Sequence, residues 1–384
     1  MPGYELIGKE EIDEILDVFN TGAKLSRHTG LKVDEFERMV AEKTGVKRTL
    51  GVSSGTAALY VALKGMGIMP GDEVITQCHT FVATVEAIKE IGAVPVLTEI
   101  DKTLNMDPED LEDKITEKTR AIIPVHMLGA PARMNEIMEI SKEHEIPVLE
   151  DSAQAPFGKY FDKYLGSIGN AGIFSFDYGK LVTTGEGGMV LTDDLDIYLR
   201  CRDYSDHGHE NNPDFPRGED TRRMSGFNFN MMELQGALGI AQLGRIDYIL
   251  DSLRRNKLKI KESLSEITDL EFREIADPEG EICDTLVFFV DNVQNAGKIA
   301  KKMKENNVNT KNLPDAVRWH FADTWKEILG EYDSYRGKNL EDLWKGSGEI
   351  IRSSVSVPIM INMDDSLIDN ITDVIKNAYN EIYS

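Results

Sequence analysis

The stretch Gly172-Ile173-Phe174-Ser175-Phe176 runs into Asp177-Tyr178-Gly179-Lys180, and Leu181-Val182-Thr183-Thr184-Gly185-Glu186-Gly187-Gly188 then leads to a second apolar run, Met189–Thr192. Runs this short, bounded by glycine and polar residues, read as strands, and the polar span between them reads as a loop with a lysine at its centre. The same kind of run recurs upstream at Thr49–Val52, Glu73–Thr76, Val94–Leu97, Ala121–Val125 and Pro147–Leu149. Helical patterns fill the gaps: Gly55–Gly67, Pro108–Ile115 and Met134–His144. Strands alternating with helices need crossover connections, which predicts a mainly parallel, seven-stranded sheet covered on both faces. This α/β unit should extend to about residue 245.

Beyond it, Met232–Leu264 reads as one long helical stretch bridging to a second unit. Strand candidates at Thr285–Val290 and Ser354–Val357, with helical patterns at Ala296–Asn306 and Leu367–Tyr383, predict a smaller α+β domain. The expected division is 1–245 and 246–384, with the N-terminal segment packing on the small domain. No tandem repeat or low-complexity linker separates the two, so they should pack against each other.

A chain of 384 residues, 41% hydrophobic and 29% charged, can bury a core without disulfides or metals. No apolar run approaches the roughly 18–20 residues of a membrane span. The N-terminus lacks the basic and apolar regions of a secretion signal, so the expected location is cytoplasmic. Cys78, Cys201 and Cys283 have no ligand-like spacing and are expected to be reduced thiols, with no metal site. A net charge of -24 argues against nucleic acid or an anionic membrane surface as partner.

In open α/β sheets ligands sit at the carboxyl ends of the strands. Ser53-Ser54-Gly55-Thr56-Ala57-Ala58, after the first run, places small residues before a helix whose free amides suit a phosphate; alone, it reads equally well as a turn and helix cap. Thr80-Phe81, after the second, offers a ring for a flat ligand, or simply a core side chain. Glu150-Asp151-Ser152-Ala153-Gln154, after the fifth, offers an acid that can hold a proton on a pyridine nitrogen, or a surface cap. Lys180, after the sixth, can form an imine, and burial would lower its pKa so that it serves as a base. Phosphate nest, ring, acid and lysine in order along one predicted sheet edge point together to a pyridoxal-phosphate site.

Those residues, with Val33–Glu37, Pro70-Gly71-Asp72-Glu73-Val74-Ile75, Val125-His126-Met127-Leu128-Gly129, Gly226-Phe227-Asn228-Phe229 and the N-terminal Pro2-Gly3-Tyr4-Glu5-Leu6, resemble the DegT/DnrJ/StrS sugar aminotransferases, pyridoxal-phosphate enzymes of fold type I. The resemblance covers nearly the whole chain. It implies that Gly55, Thr56 and Ser175 hold the cofactor phosphate, that Phe81 lies against the ring, that Asp151 pairs with the ring nitrogen and Gln154 with the ring hydroxyl, and that Lys180 carries pyridoxal 5′-phosphate. It also implies that Asn228 reaches the cofactor of a neighbouring subunit, so the sites would be complete only in a homodimer. The implied reaction moves an amino group from L-glutamate to a keto-sugar with ping-pong kinetics, Lys180 shuttling the proton.

Two positions depart from the family pattern. Asn230 stands where relatives usually carry arginine, which removes a cation, and Asp177 stands where many carry histidine. Ser205-Asp206-His207-Gly208-His209, Arg273–Gly280 and Trp319-His320-Phe321 look like the branch that makes 8-amino-3,8-dideoxy-manno-octulosonate, for a cell-surface polysaccharide such as lipopolysaccharide. Lys159, Arg318, His207, His209 and His320 are the candidate substrate contacts, each with an equally ordinary surface or structural role. The alternative acceptor is a nucleotide-linked 4-keto or 3-keto deoxysugar, as for a perosamine synthase. A dehydratase of the same family would carry histidine in place of Lys180, and a non-catalytic sensor would need neither the lysine nor the acid.

Overall fold

The computed structural model describes residues 3–383, so Pro2 of the N-terminal motif lies outside the described residues. Strands β1 (Arg48–Val52), β2 (Glu73–Gln77), β3 (Val94–Thr98), β4 (Thr119–Ile123) and β5 (Leu149–Asp151) are followed by a small hairpin, β6 (Lys159–Tyr160) and β7 (Lys163–Tyr164), and then by β8 (Ala171–Ser175) and β9 (Gly188–Thr192). β3-β2-β4 form a parallel sheet and β1-β9-β8-β5 a mixed one. Parallel bridges Ile122↔Val148 and Val125↔Asp151 join them, so seven strands run in the order β3-β2-β4-β5-β8-β9-β1. β9 alone runs opposite to the other six strands. The reason is in the connection: loop 176–187 holds no crossover helix, so the chain returns beside β8 in the opposite direction.

Two strands begin and end later or earlier than their apolar runs. The runs place the fourth strand at Ala121–Val125 and the fifth at Pro147–Leu149, whereas the ladder spans Thr119–Ile123 and Leu149–Asp151. Pro124 and Pro147 have no N–H to give, so each lies just outside its strand; the carbonyl of Pro147 still accepts from Ile122 N–H at 3.0 Å. The shift puts Asp151 at the last position of β5 rather than beyond it.

Alternate residues of the central strands face opposite helical layers. Ile173 and Val190 pack with Ala58, Leu59 and Ala62 of α3 (Gly55–Gly65) and with Ile88 of α4 (Ala83–Glu90). Phe174, Met189 and Leu191 face the other way, onto Val33, Phe36 and Val40 of α2 (Lys32–Thr44), which is preceded by α1 (Lys9–Asn20). Phe174 and Phe36 are fully buried, each contributing about 1.5–3 kcal/mol by leaving water. Helices α5 (Pro108–Lys114) and α6 (Met134–Glu143) pack on each other beside β3, and α7 (Leu195–Ser205) packs on α3.

The stretch Met232–Leu264 is two helices, α8 (Glu233–Leu243) and α9 (Ile246–Leu264), instead of the single one expected. Gly244 is a poor helix former, and at the break the amide of Arg245 turns to the carbonyl of Gln242 at 3.1 Å, while its guanidinium binds Glu11 of α1. α8 thus stays packed on α1 and α2, while α9 departs to the C-terminal helix Asp365–Tyr383. There β10 (Glu271–Phe272), β11 (Thr285–Phe289) and β12 (Ser354–Pro358) form an antiparallel sheet backed by α10 (Val293–Glu305). We propose a division of the chain at this break, 1–245 and 246–384, with one continuous apolar cluster linking Phe157 and Phe174 to Ile282, Leu286 and Val357 across it. The N-terminal segment touches both sides: Gly3 N–H donates to Lys180 O at 3.1 Å, and Glu5 accepts from the amides of Ile361 and Asn362 at 3.0 and 2.9 Å.

Candidate active site

The carboxyl ends of β1, β2, β5 and β8 open on one cavity of ≈ 370 Å³ whose lining includes Gly55, Thr56, Phe81, Asp151, Ser175 and Lys180. After β1 the chain is extended at Ser54, whose Oγ accepts from Ala57 N–H at 3.0 Å and starts α3. The amides of Gly55 and Thr56 belong to the first helical turn and have no partner within the helix, so they are available to an anion. Ser175, the last residue of β8, stands against them. A Cβ on Gly55 would lie 2.7 Å from the Ser175 Cβ and 2.8 Å from its Oγ, so this cradle closes only around a glycine.

Asp151 is buried at the end of β5, where Thr84 Oγ1–H donates to Oδ2 at 2.8 Å and Ala153 N–H donates to Oδ1 at 3.1 Å. Burial raises its carboxyl above the ordinary value of 3.8, opposed by those two hydrogen bonds and by the charge of Lys180. Its neighbour Glu150 serves a different part of the fold. The amides of Gly166, Ile168 and Gly169 donate to it at 2.9, 2.6 and 2.7 Å, and His126 Nε2 lies 3.2 Å away. Because His126 Nδ1 accepts from Ala132 N–H at 3.0 Å, its Nε2 carries the proton toward Glu150. Strand alternation thus splits two adjacent acids, one shaping loop 166–169 and the other facing the cavity.

Lys180 follows a turn in which Asp177 Oδ1 accepts from Gly179 N–H at 2.9 Å and Asp177 O accepts from Lys180 N–H at 2.9 Å. Burial depresses its amine below 10.5, while Asp151, Asp177 and Asp284 pull the other way and Lys311 adds to the depression. Phe81 is 44% exposed, a large open surface for phenylalanine, and its ring lies 5.5 Å from that of His320 at 51°. Gln154 lines the same cavity and accepts from Leu128 N–H at 3.0 Å. His320 lines it too; Nδ1 lies 2.9 Å from Ala316 O, and burial holds the ring's pKa below 6.5.

The remaining candidates lie elsewhere. Asn228 and His207 line a second cavity of ≈ 280 Å³ with Asp206, Arg217 and Asn230. His209 is engaged with Asp220 at 3.4 Å, and Lys159 lies 4.7 Å from the centre of the Tyr164 ring. Arg318 has an exposed side chain; its carbonyl accepts from Trp325 Nε1 at 3.0 Å. His207, His209, Lys159 and Arg318 are therefore not gathered at the Lys180 cavity of this chain. Conversely, Thr84, Lys311, Asn312 and Asp284 belong to the cavity wall or its hydrogen bonds and carried no motif. Thr84 lies in the first turn of α4, and its hydroxyl also meets that of Thr80, which precedes the helix, at 2.8 Å. Lys311 and Asp284 come from outside the seven-stranded sheet, and only the tertiary fold brings them there.

The cavity's donors suit pyridoxal phosphate: a glycine-lined amide cradle with a hydroxyl, a buried acid, an open aromatic face and a desolvated amine. Among the described residues, no group of His, Cys, Asp and Glu side chains is arranged to hold a metal ion, and no helix is long and apolar enough to cross a membrane. Residues 5–376 match the DegT/DnrJ/EryC1/StrS aminotransferase family. The chain is 43% identical over 248 residues to the spore coat polysaccharide biosynthesis protein SpsC of Bacillus subtilis, covering 63% of each chain. It is 39% identical to the GDP-perosamine synthase of Caulobacter vibrioides over 64% of each chain, so it spans less than two thirds of the length of either relative. The X-ray structure of an aminotransferase from Psychrobacter cryohalolentis superposes with a TM-score of 0.88 at 25% identity, covering 98% of both chains.

Proposed function

The chain belongs to the DegT/DnrJ/EryC1/StrS aminotransferase family, and from that premise we propose that it transfers an amino group from L-glutamate to a keto-sugar with pyridoxal 5′-phosphate as cofactor. The observation that carries the proposal is the convergence of Lys180 and Asp151 on one cavity beside the Gly55–Thr56–Ser175 cradle. When bound, the cofactor supplies an electrophilic aldehyde carbon and a cationic ring that accepts electron density from the donor α-carbon.

The residues divide the remaining work. Gly55 and Thr56 amides and the Ser175 hydroxyl would hold the phosphate, and Asp151 would keep the ring nitrogen protonated. Gln154 would contact the ring hydroxyl, and Phe81 would cover a ring face and exclude water. Lys180 would anchor the cofactor, and its amine would be the base that takes the donor's α-carbon proton. Its depressed pKa leaves the amine neutral more readily than that of an ordinary lysine. The same amine then returns a proton in the opposite half-reaction.

The product is an amino sugar for a cell-surface polysaccharide, made in the cytoplasm. Two acceptors fit. An eight-carbon sugar acid, giving 8-amino-3,8-dideoxy-manno-octulosonate, is supported by His320 of Trp319-His320-Phe321 lining the cavity. A nucleotide-linked 4-keto or 3-keto sugar is supported by the similarity to GDP-perosamine synthase. A homodimer is part of the proposal, since Asn228 lies away from its own chain's cavity and would serve the neighbour's.

The test is the absorbance spectrum of the purified protein with added cofactor, before and after L-glutamate. The visible band of the lysine-bound cofactor should disappear with glutamate and return with one of the two keto-sugars, and which one does so assigns the acceptor. A band that glutamate leaves unchanged would refute the proposal.

A further inference from the structure

The wall of the Lys180 cavity supplied by the C-terminal part of the chain carries Asp284, Lys311 and Asn312. Lys311 and Asp284 form an ion pair with both side chains nearly buried, at 13% and 9% exposure. Asp284 is itself fixed: Thr285 Oγ1–H donates to its Oδ1 at 2.8 Å, and its carbonyl accepts from Ile359 N–H at 2.9 Å. Lys311 is fixed through its backbone, its N–H donating to Ser356 O of β12 at 2.9 Å. An ammonium has three N–H donors, and the Asp284 contact uses one.

Four acids line this cavity, Asp151, Asp177, Glu186 and Asp284, against two lysines, Lys180 and Lys311. An anion entering so acidic a wall needs a cation held in place. Lys180 is taken up by the cofactor and His320 is driven toward its neutral form by burial, which leaves Lys311. Its location separates it from the phosphate cradle. Asp284 lies on the Gly129 side, where a Cβ on Gly129 would come within 2.6 Å of its Oδ1, and the adjacent Leu128 amide binds Gln154. Ser175 and Gly55 instead face each other across the cradle.

We infer that Lys311, oriented by Asp284 and flanked by Asn312, is a carboxylate-binding subsite of the Lys180 cavity. The subsite rests on the proposed aminotransferase reading for the source of its ligand, because both the amino-acid donor and a sugar-acid acceptor bring a carboxylate to this cavity. Asp284 is a positioning residue: it places the ammonium and competes with the incoming carboxylate for it.

The test measures binding, with no turnover needed. Glutarate, which lacks an amino group, and 3-deoxy-manno-octulosonate, a sugar acid, are titrated calorimetrically into the cofactor-loaded wild type and into Lys311→Met. Glutarate, the sugar acid or both should bind about tenfold or more weakly to Lys311→Met, the pattern identifying donor, acceptor or shared use. Asp284→Asn separates this role from a structural one. A subsite predicts equal or tighter carboxylate binding in that variant, whereas a pair that only braces the wall predicts weaker binding. Should Lys311→Met fold poorly with Asp284 left unpaired, the Lys311→Met/Asp284→Asn double variant provides the neutral comparison.

Carboxylate affinity unchanged in both Lys311 variants, or a loss of pyridoxal-phosphate affinity in its place, overturns the subsite. Lys311-dependent glutarate binding in a protein whose cofactor band ignores glutamate would instead uphold the subsite and reject the amino-transfer reading.

Discussion

The two cavities use similar side chains and differ in whether the acid at the centre of each has already paired its charge. In the second cavity Asp206 is gripped by Arg217 through Nη1 at 2.8 Å and Nη2 at 2.6 Å, with Asn230 Nδ2 at 3.4 Å and His28 Nε2 at 3.7 Å. Arg27, on the same wall, is tied to Glu37 at 2.6 Å. In the first cavity Asp151 has only a threonine hydroxyl and a backbone amide, and among the described residues neither it nor Lys180 enters a contact ion pair. A buried acid and a half-buried amine left without a charge partner in contact are unfavourable in the empty protein, and such groups cluster where a ligand completes them. In the first cavity the paired charge, Lys311 with Asp284, lies on the wall, while the acid and the amine beside the phosphate cradle stay unpaired.

The largest effect should come from Lys180→Ala. Amino transfer should fall by about a thousandfold or more, the scale of a lost base and anchor combined, while the melting temperature of the apoprotein stays level or rises because a desolvated amine is gone. Turnover assays beside thermal melts check this, and a variant that loses stability but keeps turnover would erase the contrast between the cavities. A smaller effect is expected from Gly55→Ala. The new methyl group meets the Cβ of Ser175, which cannot swing aside, so accommodation costs about 1–3 kcal/mol and cofactor affinity should drop tenfold or more. Fluorescence titration with pyridoxal phosphate reads this out; affinity within twofold of wild type would mean that the cradle is not where the phosphate sits.

Much of the first cavity was legible in the sequence because its parts follow strand ends, and strand ends are visible as the close of an apolar run. Ser54-Gly55-Thr56 and Lys180 are of this kind, and Asp151 was found although β5 begins two residues later than its run, since Pro147 cannot join a ladder. What escaped needs the third dimension. Thr84 reaches Asp151 from a helix 67 residues earlier, and Lys311 meets Asp284 from another part of the C-terminal unit. The helix break at Gly244-Arg245 escaped because the apolar periodicity runs through it, and only packing against different partners separates α8 from α9. For His207 and His209 the sequence left a substrate contact and an ordinary structural role equally open; the fold places His207 in the second cavity and His209 beside Asp220.

The smallest effect is also the sharpest test of the contrast, because it should have opposite signs in the two places. Burial alone would raise the Asp206 carboxyl, but hydrogen bonds and charge from Arg217, with smaller help from His28 and Asn230, bring it net below 3.8. A carboxyl depressed on folding contributes stability above its unfolded pKa, and that contribution is lost as pH falls through the folded value. Asp206→Asn should therefore destabilise the apoprotein at pH 7 by about 1 kcal/mol, a modest figure because Arg217 is half exposed and water screens the pair. For Asp151 burial wins and the folded pKa is raised, so its contribution is present below 3.8 and lost as pH rises through the folded value. Asp151→Asn, which keeps the shape and removes the charge, should leave the apoprotein as stable as wild type or more so at pH 7 while lowering amino transfer. Urea unfolding of both variants at pH 7 and near pH 3 measures the difference, which should narrow toward the acid end as protonation reduces the charge that each substitution removes. If both substitutions destabilise the neutral apoprotein equally, Asp151 is no less firmly paired than Asp206, and its claim to await a ligand fails.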